Sequence, residues 1–169
     1  PEWLARGLAG MTDTSAKRLS GSVGIFREDG GTWAAWKYES HTAFRQKLAA
    51  KNGRSVTANL FVHRDLFETY GTFDDQLLSG GDFEWNGRLQ DQGVSLAYRE
   101  EVRVMHPARA SMGEIARKYR RVVGGHAMVA RRNKTSGIFL FRTMMPPVGL
   151  VKQLRRDGLS VRDLVFCGV

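Results

Sequence analysis

Apolar residues along this chain alternate repeatedly between helical and strand-like spacing, and most changes fall at glycine-containing turns. Positions 1–11 suit a short helix, with Pro1 at a first-turn position and Leu4 and Leu8 on one face beside Trp3. Leu19 to Phe26 reads as strand and Glu28-Asp29-Gly30-Gly31 as turn. A helix over 32–50 has Trp33, Trp36, Phe44 and Leu48 as its apolar set, closed by Lys51-Asn52-Gly53. A second strand is expected over 56–62, then a short helix over 64–70 that stops at Gly71. An acidic and then Gly-rich loop over 73–81 leads into a helix over 83–92, ended by Gly93. Two short strands follow, 94–98 and 102–105. From Met112 to about Val123 the pattern is an amphipathic helix: Met112, Ile115, Tyr119, Val122 and Val123 share one side, opposite Arg117, Arg120 and Arg121. Such alternation within one short chain predicts an α/β fold.

With 169 residues, 9 Phe, 4 Trp and 4 Tyr, the chain is one domain's worth of sequence and is not of disordered composition. Its single Cys167 excludes a disulfide framework and a Cys-rich zinc module, and fits a reducing compartment. No uninterrupted apolar stretch reaches the roughly 20 residues that a membrane-spanning helix needs. Charge is distributed unevenly. Residues 1–106 hold 13 Lys/Arg against 14 Asp/Glu, whereas residues 107–169 hold 13 against 3. The basic excess therefore belongs to the last third, where a nucleic acid, an anionic membrane surface or a phosphorylated ligand would find it; a solvated basic face is the alternative.

The stretch richest in chemistry runs Thr57-Ala58-Asn59, Gly71-Thr72-Phe73-Asp74, Ser79-Gly80-Gly81-Asp82-Phe83-Glu84-Trp85, Arg88-Leu89 and Gly93. Gly80-Gly81 permits close backbone approach to a ligand. Asp82, Trp85, Asn86 and Leu89 follow i, i+3, i+4, i+7 spacing, which puts a carboxylate, an aromatic ring and an amide on one helix face. A carboxylate can take a sugar hydroxyl's proton while an aromatic ring stacks on the sugar's C–H face. Asp82 as a helix N-cap, with Trp85 and Leu89 as core, is the competing reading.

In order and spacing these elements resemble the second half of a family 2 glycosyltransferase, the inverting GT-A type that uses nucleotide-activated sugars. The matching residues are Ala58-Asn59, Gly71-Thr72-Phe73-Asp74, Gly80-Gly81-Asp82, Arg88-Leu89 and Gly93, and the likeness covers about residues 1–130. It implies a partial GT-A mixed sheet flanked by helices over 1–136, and a basic, helical tail over 137–169. It implies Asp82 as the general base toward the acceptor hydroxyl, with Asn59, Gly80, Gly81, Glu84 and Trp85 on the acceptor side. Gly81 departs from the commoner family pattern, which has Glu there, and Glu84 is either a partial substitute or a solvated helix residue. By the same resemblance His106 completes a divalent-metal site or contacts the diphosphate, with a strand-end hydrogen bond as the alternative. Imidazole suits Mn²⁺ better than Mg²⁺. Arg117, Lys118, Arg120 and Arg121 then hold the departing diphosphate, unless they form a solvated or membrane-facing helix side.

The resemblance also implies what lies outside the sequence. Pro1-Glu2-Trp3-Leu4 is similar to the helix start that follows the family's Asp-x-Asp metal motif, no Asp-x-Asp occurs in the 169 residues, and residue 1 is not Met. The expectation is an acceptor-side half whose donor-binding half lies upstream, without transferase activity as an isolated chain. Its expected partners are a nucleotide-diphosphate sugar and a saccharide or lipid-linked acceptor, in the cytoplasm or at the inner face of a bacterial membrane. From Ile138 onward apolar pairs alternate with Arg142, Lys152, Arg155 and Arg156 around Pro146-Pro147, a pattern suited either to an anionic bilayer interface or to packing back on the domain. Two other classes compete: a non-catalytic carbohydrate-binding or scaffold domain of the same fold, and a nucleic-acid-binding module. The second is disfavoured because aromatic residues do not interleave with the basic ones as base stacking requires, so no nucleic-acid partner is expected.

Overall fold

A computed structural model describes residues 2–132. The tail from Ile138, its prolines, Cys167, Pro1 and the 136/137 boundary lie outside the described residues. The order of elements is α1 (Glu2–Thr14), β1 (Arg18–Phe26), α2 (Trp33–Thr42), α3 (Gln46–Ala50), a 3₁₀ turn (Thr57–Asn59), β2 (Leu60–Val62), α4 (Asp65–Tyr70), α5 (Gly81–Asp91), β3 (Ala97–Pro107) and α6 (Met112–Arg132). The fold is α/β, with a three-stranded sheet in the order β2-β1-β3. β1 and β2 are antiparallel, pairing Arg18 with Val62, Leu19 with Phe61 and Ser20 with Leu60. β1 and β3 advance together, since Gly21 lies against the Val102 carbonyl and Gly24 against Met105. The sheet is therefore mixed.

The chain divides into two compact units: residues 2–24 with 44–106, and residues 25–43 with 107–132 among those described. In the first, Leu66, Trp85 and Leu89 form a core joined by Leu60, Val62, Phe67, Tyr70 and Val94. In the second, Ala35, Tyr38 and Ile115 form a smaller core with Met112 against it, as α2 packs on α6.

Several elements differ from the sequence expectation. The buried face of α1 is its glycine face, Gly7 and Gly10, while Trp3, Leu4 and Leu8 are exposed. A Cβ on Gly7 would sit 2.2 Å from the Phe61 ring, so the helix lies too close to β2 to place a larger side chain there. The helix over 32–50 is two helices. Thr32 caps α2 by accepting the Ala35 N–H, and the break at Ala43 to Arg45 includes Phe44 at φ +47°. Within α2 the buried side is Ala35, Tyr38 and Glu39, whereas Trp33 is exposed, as is Leu48 in α3. The strand over 56–62 opens as the 3₁₀ turn, because Asn59 turns inward to bond both neighbouring strands. The two strands over 94–105 are one strand, β3. α6 passes through Gly124-Gly125 to Arg132, and Gly125 is buried.

Candidate functional site

Two groups of residues carry chemistry, one in each unit. In the first unit, α5 begins at Gly81, preceded by Gly80 at φ +83°, a left-handed conformation that glycine adopts without the Cβ penalty. Gly80 is thus the N-cap, with no side-chain cap bond, and Asp82 sits within the first turn rather than capping it. The half-buried Asp82 carboxylate accepts the Phe83 N–H on Oδ1 at 2.8 Å and the Thr57 N–H on Oδ2 at 3.3 Å. A carboxylate oxygen accepts more than one hydrogen bond, so this arrangement orients the group without exhausting it.

The backbone beneath Asp82 is held by buried polar groups. Asn86 donates through Nδ2 to the Asp82 carbonyl at 2.8 Å and the Ser55 carbonyl at 3.2 Å, and its Oδ1 accepts Arg18 Nη1 at 2.9 Å. Arg18 is fully buried and also donates to the carbonyls of Asn86, Gly53 and Val94. These acceptors are neutral oxygens. Burial pushes its pKa down to about 10, with the positive charge of Arg54 adding to the effect. Arg54 donates to the Phe83 carbonyl and packs over Gly87, where a Cβ would stand 2.4 Å from Nη1. Arg18, Arg54 and Asn86 together fix where α5 starts.

Trp85 is not a surface plate for a sugar. It is 0% exposed, stacked on Phe67 at 4.8 Å and tilted against Phe73 at 5.2 Å, and its indole N–H donates to the Gly71 carbonyl at 2.7 Å. Asn59 is likewise committed internally: Nδ2 donates to the Ser22 and Val102 carbonyls at 2.7 and 2.8 Å, and Oδ1 accepts the Trp3 indole N–H at 3.0 Å. Glu84 pairs with Arg88 at 2.7 Å, and Arg88 donates onward to the carbonyls of Tyr70 and Thr72. This pair ties α5 to the loop after α4. Gly80, Gly81, Asp82 and Glu84 are therefore gathered at the start of α5, while Trp85 and Asn59 face the interior and support it.

His106 lies near the end of β3 with its ring 4.7 Å from that of Phe44. Among the described residues no group of three or more His, Cys, Asp or Glu could hold a metal ion. His106 alone does not make such a site.

In the second unit, Arg109, Glu114, Arg117, Lys118 and Arg121 line a cavity of about 420 Å³. Three of the four basic residues singled out on α6 meet here, and Arg120 is exposed outside the lining. Arg109 was missed from sequence, although it opens the basic third of the chain. Behind the cavity lies Glu39, whose side chain is 2% exposed. Its Oε1 accepts Arg109 Nη1 and Lys118 Nζ, each at 2.8 Å, and its Oε2 accepts the Arg109 N–H at 2.8 Å. Burial pushes the Glu39 carboxyl up, but the Lys118 ammonium and the Arg109 N–H and guanidinium outweigh it and leave it below the ordinary carboxylate range. The sequence signal for Glu39 was available: it shares the helix face of Ala35 and Tyr38, where a carboxylate needs a buried partner. Such an open basic depression, with several donors along it, suits a phosphate-bearing anion.

Comparison with known proteins gives one informative likeness. The chain is 34% identical over 175 residues to Glycosyltransferase AglE of Haloferax volcanii, an alignment covering 98% of this chain and 57% of that protein. The chain thus spans a little over half the length of this curated relative. No family model matches the chain, and no solved structure matches it. Among the described residues no helix is long and apolar enough to cross a membrane.

Proposed function

We propose that this chain is the acceptor-side part of a glycosyltransferase of the family 2, GT-A type, transferring a sugar from a nucleotide-diphosphate donor to an acceptor hydroxyl with inversion. The observation that carries the reading is the 34% identity to a glycosyltransferase over 98% of this chain. In the proposed reaction the Asp82 carboxylate takes the proton of the acceptor hydroxyl. That oxygen bonds to the anomeric carbon from the face opposite the leaving group, and the bond from carbon to the diphosphate oxygen breaks. The nucleoside diphosphate leaves with the bonding electron pair, and Arg109, Arg117 and Arg121 offset its charge.

Gly80 and Gly81 leave room beside Asp82 for the acceptor, and Glu84 acts through Arg88 on the adjoining loop. His106 would supply one imidazole toward a divalent metal, with its other ligands from outside the described residues. Such a metal would supply charge neutralisation at the diphosphate. The acceptor is a saccharide or a lipid-linked saccharide, and the work is done in the cytoplasm or at the inner face of the membrane. Because the chain spans little more than half of its relative, we expect the 169-residue chain to bind a nucleoside diphosphate but not to turn over. Incubation of the purified chain with uridine- or guanosine-diphosphate sugars, Mn²⁺ and saccharide acceptors checks this. Product formation by the chain alone would refute the half-enzyme reading.

A further inference from the structure

The cations of the basic cavity are not equivalent. Lys118 and Arg109 share the buried Glu39 carboxylate at 2.8 Å, and Glu39 is outside the cavity lining. Arg117 is 71% exposed, with its contact to Glu114 at 4.0 Å. We infer that Glu39 is an internal counter-anion of the cavity. It takes the position on Lys118 and Arg109 that a phosphate oxygen would otherwise occupy, and so holds down the cavity's affinity for a diphosphate. This rests on the diphosphate reading of the cavity given above.

The argument is one of charge. Four cations line the space, and Glu114 together with Glu39 offsets two of them. A diphosphate therefore meets a net charge near +2, strong enough for capture and weak enough for release. Neutralising Glu39 raises the net charge by one and frees the Lys118 ammonium and Arg109 guanidinium to turn toward the ligand. One extra unit charge several ångströms from an anion, in a partly solvated site, changes binding by roughly five- to tenfold. A purely structural role for Glu39 predicts the opposite sign, because loosening the cavity weakens binding.

The test is calorimetric titration of the 169-residue chain with inorganic pyrophosphate at low and high salt. Wild type is compared with Glu39→Gln and Glu39→Asp, with helix content checked by circular dichroism. Glu39→Gln should bind about five- to tenfold more tightly and with steeper salt dependence, and Glu39→Asp should stay within about twofold of wild type. If Glu39→Gln does not fold, Lys118→Gln should cost less affinity than Arg117→Gln, since Lys118 already serves the carboxylate. A folded Glu39→Gln that binds equally or more weakly overturns the inference while leaving the diphosphate site standing, and so does a larger loss for Lys118→Gln. Failure of the wild-type chain to bind pyrophosphate overturns the diphosphate reading, and the inference falls with it.

Discussion

At the scale of single residues, carboxylates separate according to what surrounds them. Asp82 is oriented by two backbone N–H groups and remains half-buried, whereas Glu39 is enclosed and shared by an ammonium and a guanidinium. For Glu39 the folded pKa lies below its unfolded value near 4.5. Its stabilising contribution is therefore complete above that value and is lost as pH falls through the lower folded value. Urea unfolding of wild type should lose stability between pH 5 and acid conditions, and Glu39→Gln should remove this share of the pH dependence. Asp65 and Glu100 shift in the same direction but lie at the surface, so solvent screens their share. An equal loss on acidification in both proteins would place the effect elsewhere. The Asp82 motif was legible from sequence because its Gly-Gly-Asp order is local. The partnership of Glu39 with Arg109 was not, since 70 residues separate them and only the packing of α2 on α6 brings them together.

At the scale of elements, α5 is the part that the candidate base depends on. Its inner face is Trp85, Asn86 and Leu89, and its start is set by Gly80, Arg18 and Arg54. The periodicity that placed Asp82, Trp85, Asn86 and Leu89 on one face was sound, but periodicity does not say whether that face meets water or core. Here it meets core, and the aromatic residue serves stability. Trp85→Ala should therefore cost roughly 3–5 kcal/mol, measured by chemical denaturation, as expected when a buried aromatic residue is truncated. A loss under about 1 kcal/mol, with saccharide binding selectively removed, would return Trp85 to a surface role. The α1 face failed in the opposite direction: Leu4 and Leu8 carry the apolar spacing, yet the close approach at Gly7 fixes which side turns inward. α6 runs past the expected end near Val123, through Gly124-Gly125 to Arg132.

At the scale of the whole molecule, the alternating pattern yields a mixed α/β sheet with a basic cavity in the C-terminal part of the described chain, and 98% of the chain aligns with a glycosyltransferase. Part of the excess charge after His106 gains a specific use in this reading: Arg109, Arg117, Lys118 and Arg121 line one cavity. The most direct measurement is the rate of sugar transfer by the longer polypeptide that contains these 169 residues. Wild type and Asp82→Asn would be compared across nucleotide-diphosphate sugars by release of the nucleoside diphosphate. Removal of a general base predicts a rate about 10²- to 10⁴-fold lower for Asp82→Asn, with folding and nucleotide binding retained. Transfer by Asp82→Asn at the wild-type rate would contradict the assignment of Asp82 as the base.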